Sequence, residues 1–265
     1  MSVSAPGGSV VRKVEAMPLA VTTSRVLVVV PAWNEEASVG AVVRSVKSVD
    51  PGFDVLVVDD GSGDRTSANA AASGAVVCRL PFNLGVGGAM RAGYRYALRH
   101  GYDVVVQVDA DGQHDARYIP QLVAALEGAD VVVGARFAGE GAYEARGPRR
   151  WAMRLLGAVL SRLARRRLSD VTSGFRAVNR RGIELFATHY PAEYLGDTVE
   201  SLVIALRTGC RVVQIPVSMQ VRRTGQPSQN TARSVLYLAR ALVALSLAMV
   251  RRWPTTLESV QQELA

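Results

Sequence analysis

The chain has 265 residues, 49% of them hydrophobic, and it carries 31 Lys and Arg against 23 Asp and Glu, a formal net charge of +8. This length suits one large domain with a full core, and two cysteines, Cys78 and Cys210, argue against a disulfide scaffold or a cysteine-based metal site. The basic excess favours an anionic partner, either nucleic acid, a phosphorylated substrate or an anionic membrane surface. Because Lys13 and Lys47 are the only lysines, most of this charge is on guanidinium groups, which suit phosphate.

The two ends of the chain differ from its middle. The N-terminal residues contain no sustained apolar run, which argues against a secretory signal and predicts a flexible tail. No run of about 18 to 20 apolar residues predicts a transmembrane helix, and the nearest candidate, 234–253, is interrupted by Arg240. We therefore predict a tail over 1–24, one large domain over 25–230, and a C-terminal amphipathic helix and tail over 231–265.

Residues 25–135 alternate between short β-branched runs and helix-like stretches. This alternation predicts βαβ units and a mostly parallel sheet, and the continuously apolar strands fit a sheet with helices on both faces. The predicted strands are 25–30, 54–59, 75–78, 103–109 and 130–134. The predicted helices are 36–49, 64–73, 85–100 and 116–128. Beyond them we predict a basic amphipathic helix over 149–167, a loop and short strand over 170–180, a helix over 196–208, strands near 211–221 and a final long helix.

Four polar segments follow the predicted strands: 31–36, 59–64, 81–93 and 109–115. Ligands of α/β sheets bind beyond the carboxyl ends of the strands, so these segments are expected to form one site. The glycine-rich segment 81–93 is neither a Walker loop nor a dinucleotide fingerprint, and its glycines allow close backbone approach near a helix start.

Asp109 and Asp111 are separated by one residue at the end of an apolar strand. Hard divalent cations bind carboxylate oxygens and keep waters and substrate phosphates as their other ligands, so a metal–diphosphate site is one reading. A solvated Asp-Gly turn is the other. Asp115 is expected to cap a helix that begins near Ala116.

The first two polar segments also have two readings each. Asp59 can accept hydrogen bonds from a base or a ribose, whereas Asp60, Ser62 or Asp64 can cap the following helix. In the first segment, Pro31 and Trp33 can shape a nucleobase pocket and Glu35 can bind ribose hydroxyls. Alternatively, Asn34 caps the next helix, with Glu35 and Glu36 in its first turn.

In this order, PAWNEE, VVDDGSGD, NLGVGGAMRAG and DADGQHD resemble the motifs of family 2 glycosyltransferases of GT-A fold. DADGQH and the later SGFRA resemble the dolichol-phosphate or polyprenyl-phosphate mannosyltransferase-like branch. The resemblance covers about 25–225, and it implies a nucleotide-diphosphate sugar as donor and a divalent cation, Mg²⁺ or Mn²⁺.

The resemblance also implies roles for individual residues. Trp33 stands where Tyr is more usual, and stacking on a base should survive that change. The positions matching the base and ribose pocket are Pro31, Trp33, Glu35 and, as the base-side carboxylate, Asp59. Those matching the metal motif are Asp109, Asp111 and Gln113. Those matching basic positions near the donor and acceptor phosphates are Arg136, Arg150 and Arg222.

The acceptor decides whether a general base is needed. A hydroxyl acceptor needs one, for which Asp197 is the best match, although Asp197 can also be a helix cap. A lipid phosphate is already anionic, and Glu200 fits the lipid-phosphate branch better. A group of arginines after the fifth strand favours phosphate as the acceptor, although a solvated basic face is the other reading. These arginines are Arg136, Arg146, Arg149, Arg150 and Arg154.

These observations predict an enzyme that moves a sugar to polyprenyl phosphate at the cell envelope, on the cytoplasmic face of the membrane. The C-terminal segment is expected to lie at the membrane surface, or else to dock on protein. A small integral membrane partner and a homodimer are left open. A non-catalytic nucleic-acid-binding module is the remaining alternative, but aromatic residues are only 6% and no nucleic-acid motif is present.

Overall fold

The computed structural model describes residues 24–136, 157–164, 167–191 and 197–220. Seven strands form one sheet in the order β3-β2-β1-β4-β6-β5-β7. The strands are β1 (Val26–Ala32), β2 (Asp54–Asp59), β3 (Val76–Arg79), β4 (Val104–Gln107), β5 (Val131–Ala135), β6 (Arg176–Asn179) and β7 (Val212–Pro216). The helices are α1 (Val39–Val49), α2 (Thr66–Ala72), α3 (Gly85–Arg99), α4 (Ile119–Ala124), α5 (157–164), α6 (Arg180–His189) and α7 (Asp197–Arg207).

The sheet is covered on both faces, as its continuously apolar strands predict. On one face Leu27 and Val29 of β1 pack with α3, α5, α6 and α7. On the other face Val28 and Val30 pack with α1, α2 and α4. Neighbouring strands are parallel except around β6, which runs antiparallel to both β4 and β5. The predicted α/β class with a mostly parallel sheet is confirmed.

Two helices differ from the sequence prediction. Residues 116–128 form α4 between two 3₁₀ turns, Ala116–Tyr118 and Ala125–Gly128, and Pro120 lies in the first turn of α4. Helix α6 was not predicted. It begins where Asn179 accepts a hydrogen bond from the Gly182 N–H at 3.1 Å, and it buries Ile183 and Phe186 one turn apart.

The start of α3 is held close to the sheet and to α7 by glycines. A Cβ on Gly93 would lie 2.6 Å from Val29 Cγ1, so α3 packs directly on β1. A Cβ on Gly87 would lie 2.2 Å from the Pro191 carbonyl oxygen and 3.3 Å from Asp197 Cβ. This packing brings α3 and α7 together at the carboxyl edge of the sheet. None of the helices in the described ranges is long and apolar enough to cross a membrane.

Candidate active site

The loops after β1 and β2 are joined by hydrogen bonds at the carboxyl edge of the sheet. The Asn34 N–H donates to Ser62 Oγ at 2.9 Å, and Asn34 Oδ1 accepts from the Gly63 N–H at 2.9 Å. Asn34 has a φ of 53°, and α1 begins only at Val39. The expectation that Asn34 caps the next helix is therefore wrong, because its side chain binds the neighbouring loop instead.

Asp60 joins the loop after β2 to the start of α3. Its two carboxylate oxygens accept from the N–H groups of Leu84 at 2.7 Å and Gly85 at 2.8 Å. Asp60 is thus a cap, but for α3 and not for α2, the helix that follows it. Burial raises the pKa of Asp60 and outweighs these two hydrogen bonds. For α2, Asp64 accepts from the Thr66 N–H at 2.9 Å, as expected.

Asp59 lies at the end of β2 and is fully buried. Its carboxylate accepts from the Ser62 N–H at 2.8 Å and from Ser67 Oγ. Burial favours the protonated form, but these hydrogen bonds outweigh it and hold the pKa of Asp59 below its ordinary value. Asp59 is therefore an ionised group inside the β2 loop, and contact with a base would require Ser67 or its surroundings to move.

The three side chains expected at the nucleobase lie on one stretch of chain. Pro31 is half-buried within β1, and Trp33 is 55% exposed just beyond it. Glu35 accepts a hydrogen bond from Ser38 Oγ at 2.7 Å. An exposed indole at the rim of the site is placed where it can stack on a ligand, and its role in binding a base stays a prediction.

Asp109 is held from both sides at the end of β4. Gln107 Nε2 donates to Asp109 Oδ1 at 3.2 Å, and the Asp109 N–H donates to His114 Nδ1 at 3.0 Å. The His114 ring stacks on Phe175 with 4.8 Å between ring centroids. The Asp109 side chain nevertheless remains 39% exposed, so its carboxylate is fixed in place yet open to a ligand.

The loop after Asp109 folds back on itself. Asp111 Oδ1 accepts from the Gln113 N–H at 3.0 Å, and the Gln113 carbonyl accepts from the Gln220 N–H at 2.9 Å. Asp115 accepts from the Arg117 N–H at 3.1 Å and caps the 3₁₀ turn that begins at Ala116. The prediction that Asp115 is a helix cap, separate from Asp109 and Asp111, is therefore confirmed.

The β4 loop suits a divalent cation whose remaining ligands come from elsewhere. Among the described residues, no three His, Cys, Asp or Glu side chains are grouped so that they could hold a metal ion. Asp109 and Asp111 supply hard carboxylate oxygens, and a cation bound by one or two carboxylates completes its shell with waters and substrate phosphates. A Cβ on Gly174 would lie 3.3 Å from both Asp109 oxygens, so the glycine leaves room around this carboxylate.

Replacing Gly174 with alanine should weaken metal binding. The added methyl group would also lie 2.9 Å from Gln107 Nε2, so either this amide or the Asp109 carboxylate must shift. Disturbing a residue that orients a metal ligand typically costs about 10–100-fold in metal affinity. We expect the Mn²⁺ concentration for half-maximal activity to rise by about tenfold or more. Gly128→Ala is the matched control, because its Cβ would meet nothing closer than Arg211 Nη1 at 4.0 Å. An equal rise of the half-maximal Mn²⁺ concentration in the two variants would contradict the assignment of Asp109 as a metal ligand.

Arg136, expected at a phosphate, is engaged in a buried ion pair. Its Nε and Nη2 donate to the two oxygens of Asp170 at 2.7 and 3.0 Å, and Nη2 also donates to Thr172 Oγ1 at 2.8 Å. Asp170 is fully buried. Burial opposes its ionisation, but Arg136 outweighs that effect and keeps the pKa of Asp170 below its ordinary value. The charge of Arg136 is therefore balanced by Asp170, which sequence reasoning did not identify.

Some of the predicted residues lie outside the described ranges. These are Arg146, Arg149, Arg150, Arg154, Arg222 and the C-terminal segment 231–265. Glu200 is half-buried in the first turn of α7. Its role and those of the arginines stay predictions.

Asp197 is the first residue of α7 and is 7% exposed. Burial raises the pKa of its carboxyl, Arg176 and the Thr198 N–H oppose the rise, and the charge of Asp109 adds to it. Asp197 Oδ2 has no hydrogen-bond partner within the described residues. The structure therefore brings Asp197 within electrostatic reach of Asp109, and a raised pKa would make its carboxylate a stronger base.

Comparisons with known proteins agree with this arrangement. The family model described as "Glycosyl transferase family 2" matches residues 27–186. An undecaprenyl-phosphate mannosyltransferase of Micrococcus luteus is 32% identical over 241 residues, covering 86% of this chain and 93% of the relative. A polyprenol monophosphomannose synthase of Mycolicibacterium smegmatis is 31% identical over 219 residues, covering 77% of this chain and 80% of the relative.

A solved structure shares the fold. Glucosyl-3-phosphoglycerate synthase from Mycobacterium tuberculosis, in complex with Mn²⁺, UDP and phosphoglyceric acid, superimposes with a TM-score of 0.67 at 22% identity. The match covers 87% of this chain and 80% of that one. The expected GT-A architecture of the described sheet and helices is confirmed.

Proposed function

This chain belongs to glycosyl transferase family 2, and we propose that it transfers a sugar from a nucleotide-diphosphate sugar to a polyprenyl phosphate, with inversion at the anomeric carbon and with a divalent cation. The observation that carries the proposal is the near full-length similarity to the Micrococcus luteus enzyme, whose name states an undecaprenyl-phosphate acceptor. Membership of a glycosyltransferase family rules against the non-catalytic nucleic-acid-binding alternative.

In this proposal the donor binds at the carboxyl edge of the sheet. Trp33, Glu35 and Pro31 contact the base and ribose, with Asp59 beneath them. Asp109 and Asp111, with Gln113 as a third polar group, hold the cation. When bound, the cation neutralises charge on the leaving diphosphate.

In this proposal the acceptor phosphate needs positively charged groups that bind it, and it does not need a general base. A phosphate monoester carries about 1.5 to 2 negative charges at neutral pH, so its oxygen is already a nucleophile. We propose that Arg150 and Arg154 surround this phosphate, that Arg136 acts there beside its ion pair with Asp170, and that Arg222 lies near the donor phosphates. Glu200 is proposed to line the acceptor side at the start of α7. A lipid-linked acceptor implies work at a membrane surface, and we propose that this is the cytoplasmic face.

The direct test is a transfer assay. Purified protein is mixed with Mg²⁺ or Mn²⁺, a panel of UDP- and GDP-sugars and a polyprenyl phosphate, and lipid-linked sugar is measured. Formation of a lipid-linked sugar with one donor is the expected result. No product with any donor would overturn the proposal.

A second candidate, transfer to a hydroxyl with Asp197 as base, is favoured by the burial and raised pKa of Asp197. Asp197→Asn separates the two. Loss of a general base costs about 10²–10⁴-fold, whereas transfer to phosphate should fall by less than about tenfold because no proton is removed. The initial rate of Asp197→Asn relative to the wild type, measured with the acceptor that the wild type uses, decides between the two candidates. The control is Asp103→Asn, at the opposite edge of the sheet, where Asp103 accepts from the Arg25 N–H.

A further inference from the structure

Arg176 is a buried cation that sequence reasoning did not single out. It is the first residue of β6, is 1% exposed, and pairs with Gln107 in the neighbouring strand β4. A buried guanidinium is costly unless its N–H groups are bonded. Nε donates to the Ser173 carbonyl at 2.8 Å, Nη1 to Ser201 Oγ at 2.7 Å, and Nη2 to the Thr198 carbonyl at 2.7 Å.

These three bonds reach the two halves of the site. Ser173 precedes Gly174, the glycine whose Cβ would touch the Asp109 carboxylate. Thr198 and Ser201 lie in the first turns of α7, the helix that carries Asp197 and Glu200. One guanidinium therefore bonds the loop beside the metal-binding carboxylate and the helix start on the acceptor side.

The position of the Asp197 carboxylate depends on the hydrogen bonds from Arg176 to the first turns of α7. Its Oδ2 has no hydrogen-bond partner in the described part of the chain, and the N–H groups that lower the pKa of its carboxyl belong to its own turn. Its position is therefore set by where α7 begins. The planar fork of arginine can hold three acceptors in fixed directions, which a lysine ammonium on a flexible stem cannot reproduce.

We infer that Arg176 is a positioning residue, which fixes the distance and angle between the β4 loop with Asp109 and the first turn of α7 with Asp197 and Glu200. This inference rests on the proposed function, because it assigns these two places to the donor and acceptor sides. The donor and the acceptor bound at these two places are the reacting groups, and a displacement of about 1 Å between them can cost about 10²-fold in rate. The expected loss of rate therefore does not require Asp197 to act as a base.

The test compares Arg176→Lys with Arg181→Lys. Arg181 also donates to a backbone carbonyl near α7, that of Thr208, but at the far end of this helix and away from the site. We expect Arg176→Lys to bind UDP or GDP with Mn²⁺ as the wild type does, measured by thermal stabilisation, while kcat falls about 10–100-fold. Arg181→Lys should keep both. Equal losses of kcat in the two variants would overturn the inference. So would a weaker binding of nucleotide by Arg176→Lys with no loss of kcat.

A second variant and a second measurement test the inference if Arg176→Lys does not fold or if the wild type shows no transfer. Ser201→Ala replaces Arg176→Lys in the test if Arg176→Lys does not fold. It removes one acceptor of Arg176, so it should lower kcat by less than Arg176→Lys would, and a wild-type kcat in this variant would count against the inference. Hydrogen–deuterium exchange needs no substrate, so it decides the matter even if the wild type transfers nothing to polyprenyl phosphate and the proposed function fails. In Arg176→Lys, or in Ser201→Ala if that variant is used, deuterium uptake should rise both in peptides that cover 173–175 and in peptides that cover 197–201. Wild-type uptake in either set of peptides would contradict the proposal that Arg176 links the two segments.

Discussion

Asp111→Ala should lower the metal-dependent rate of sugar transfer by about three orders of magnitude. Asp109 and Asp111 are the two carboxylates of the β4 loop assigned to the cation, and among the described residues no third acid is grouped with them so that it could replace Asp111. A cation that stabilises the leaving group contributes several kcal/mol, and each ~1.4 kcal/mol is tenfold in rate. Initial rates across a Mn²⁺ titration, and thermal stabilisation by Mn²⁺ with UDP or GDP, measure the loss.

Asp115→Asn is the matched control for this variant. Asp115 lies four residues further on, caps the 3₁₀ turn at Ala116 and makes an ion pair with Arg117 at 2.6 Å. Asn is as good a cap as Asp, and the partner Arg117 is 81% exposed, so this replacement should reduce stability by less than about 1 kcal/mol and should leave the Mn²⁺ dependence unchanged. Full activity of Asp111→Ala, or an equal loss in both variants, would show that the β4 loop does not bind the metal.

Arg136→Met should destabilise the fold by about 3–5 kcal/mol, because it leaves the fully buried Asp170 without its cation. For a domain of this size the melting temperature should fall by on the order of 10 °C. Arg180→Met is the control, since Arg180 is 45% exposed and its pair with Glu184 is worth only ~0.2–0.5 kcal/mol. Equal melting temperatures of the two variants, together with a large loss of kcat in Arg136→Met alone, would show that Arg136 acts on the reaction and not on the stability of the fold.

This stability difference should depend on pH. The pKa of Asp170 is lowered in the folded protein, so its ion pair contributes fully above the unfolded-state pKa. That contribution is lost as the pH falls through the lowered folded-state pKa. The gap in unfolding free energy between wild type and Arg136→Met should therefore narrow below about pH 4, which denaturant titrations at several pH values can measure.

Local patterns predicted most of the fold because they depend on neighbours in sequence. Apolar runs located β1 to β5, and the pattern after β4 identified Asp115 as a cap. The metal pair Asp109 and Asp111 stays a prediction. Pairings between distant residues could not be read this way. The Asp170 partner of Arg136 lies 34 positions away, and Asp60 caps a helix 25 positions further on. The SGFRA motif was noticed, but only the buried contacts of Arg176 indicate what its arginine does.

The cap at Asp60 also bears on how the proposed donor diphosphate would bind. A glycine-rich helix start usually presents free N–H groups and a partial positive charge, and in many nucleotide-binding folds this is where phosphates bind. In this protein a carboxylate already occupies two of the N–H groups at the start of α3. The helix end is therefore screened from a second anion. In the proposed function, selection for a diphosphate would therefore depend on the divalent cation that binds with the substrate and on the proposed arginines, so nucleotide affinity should rise with the concentration of free divalent cation.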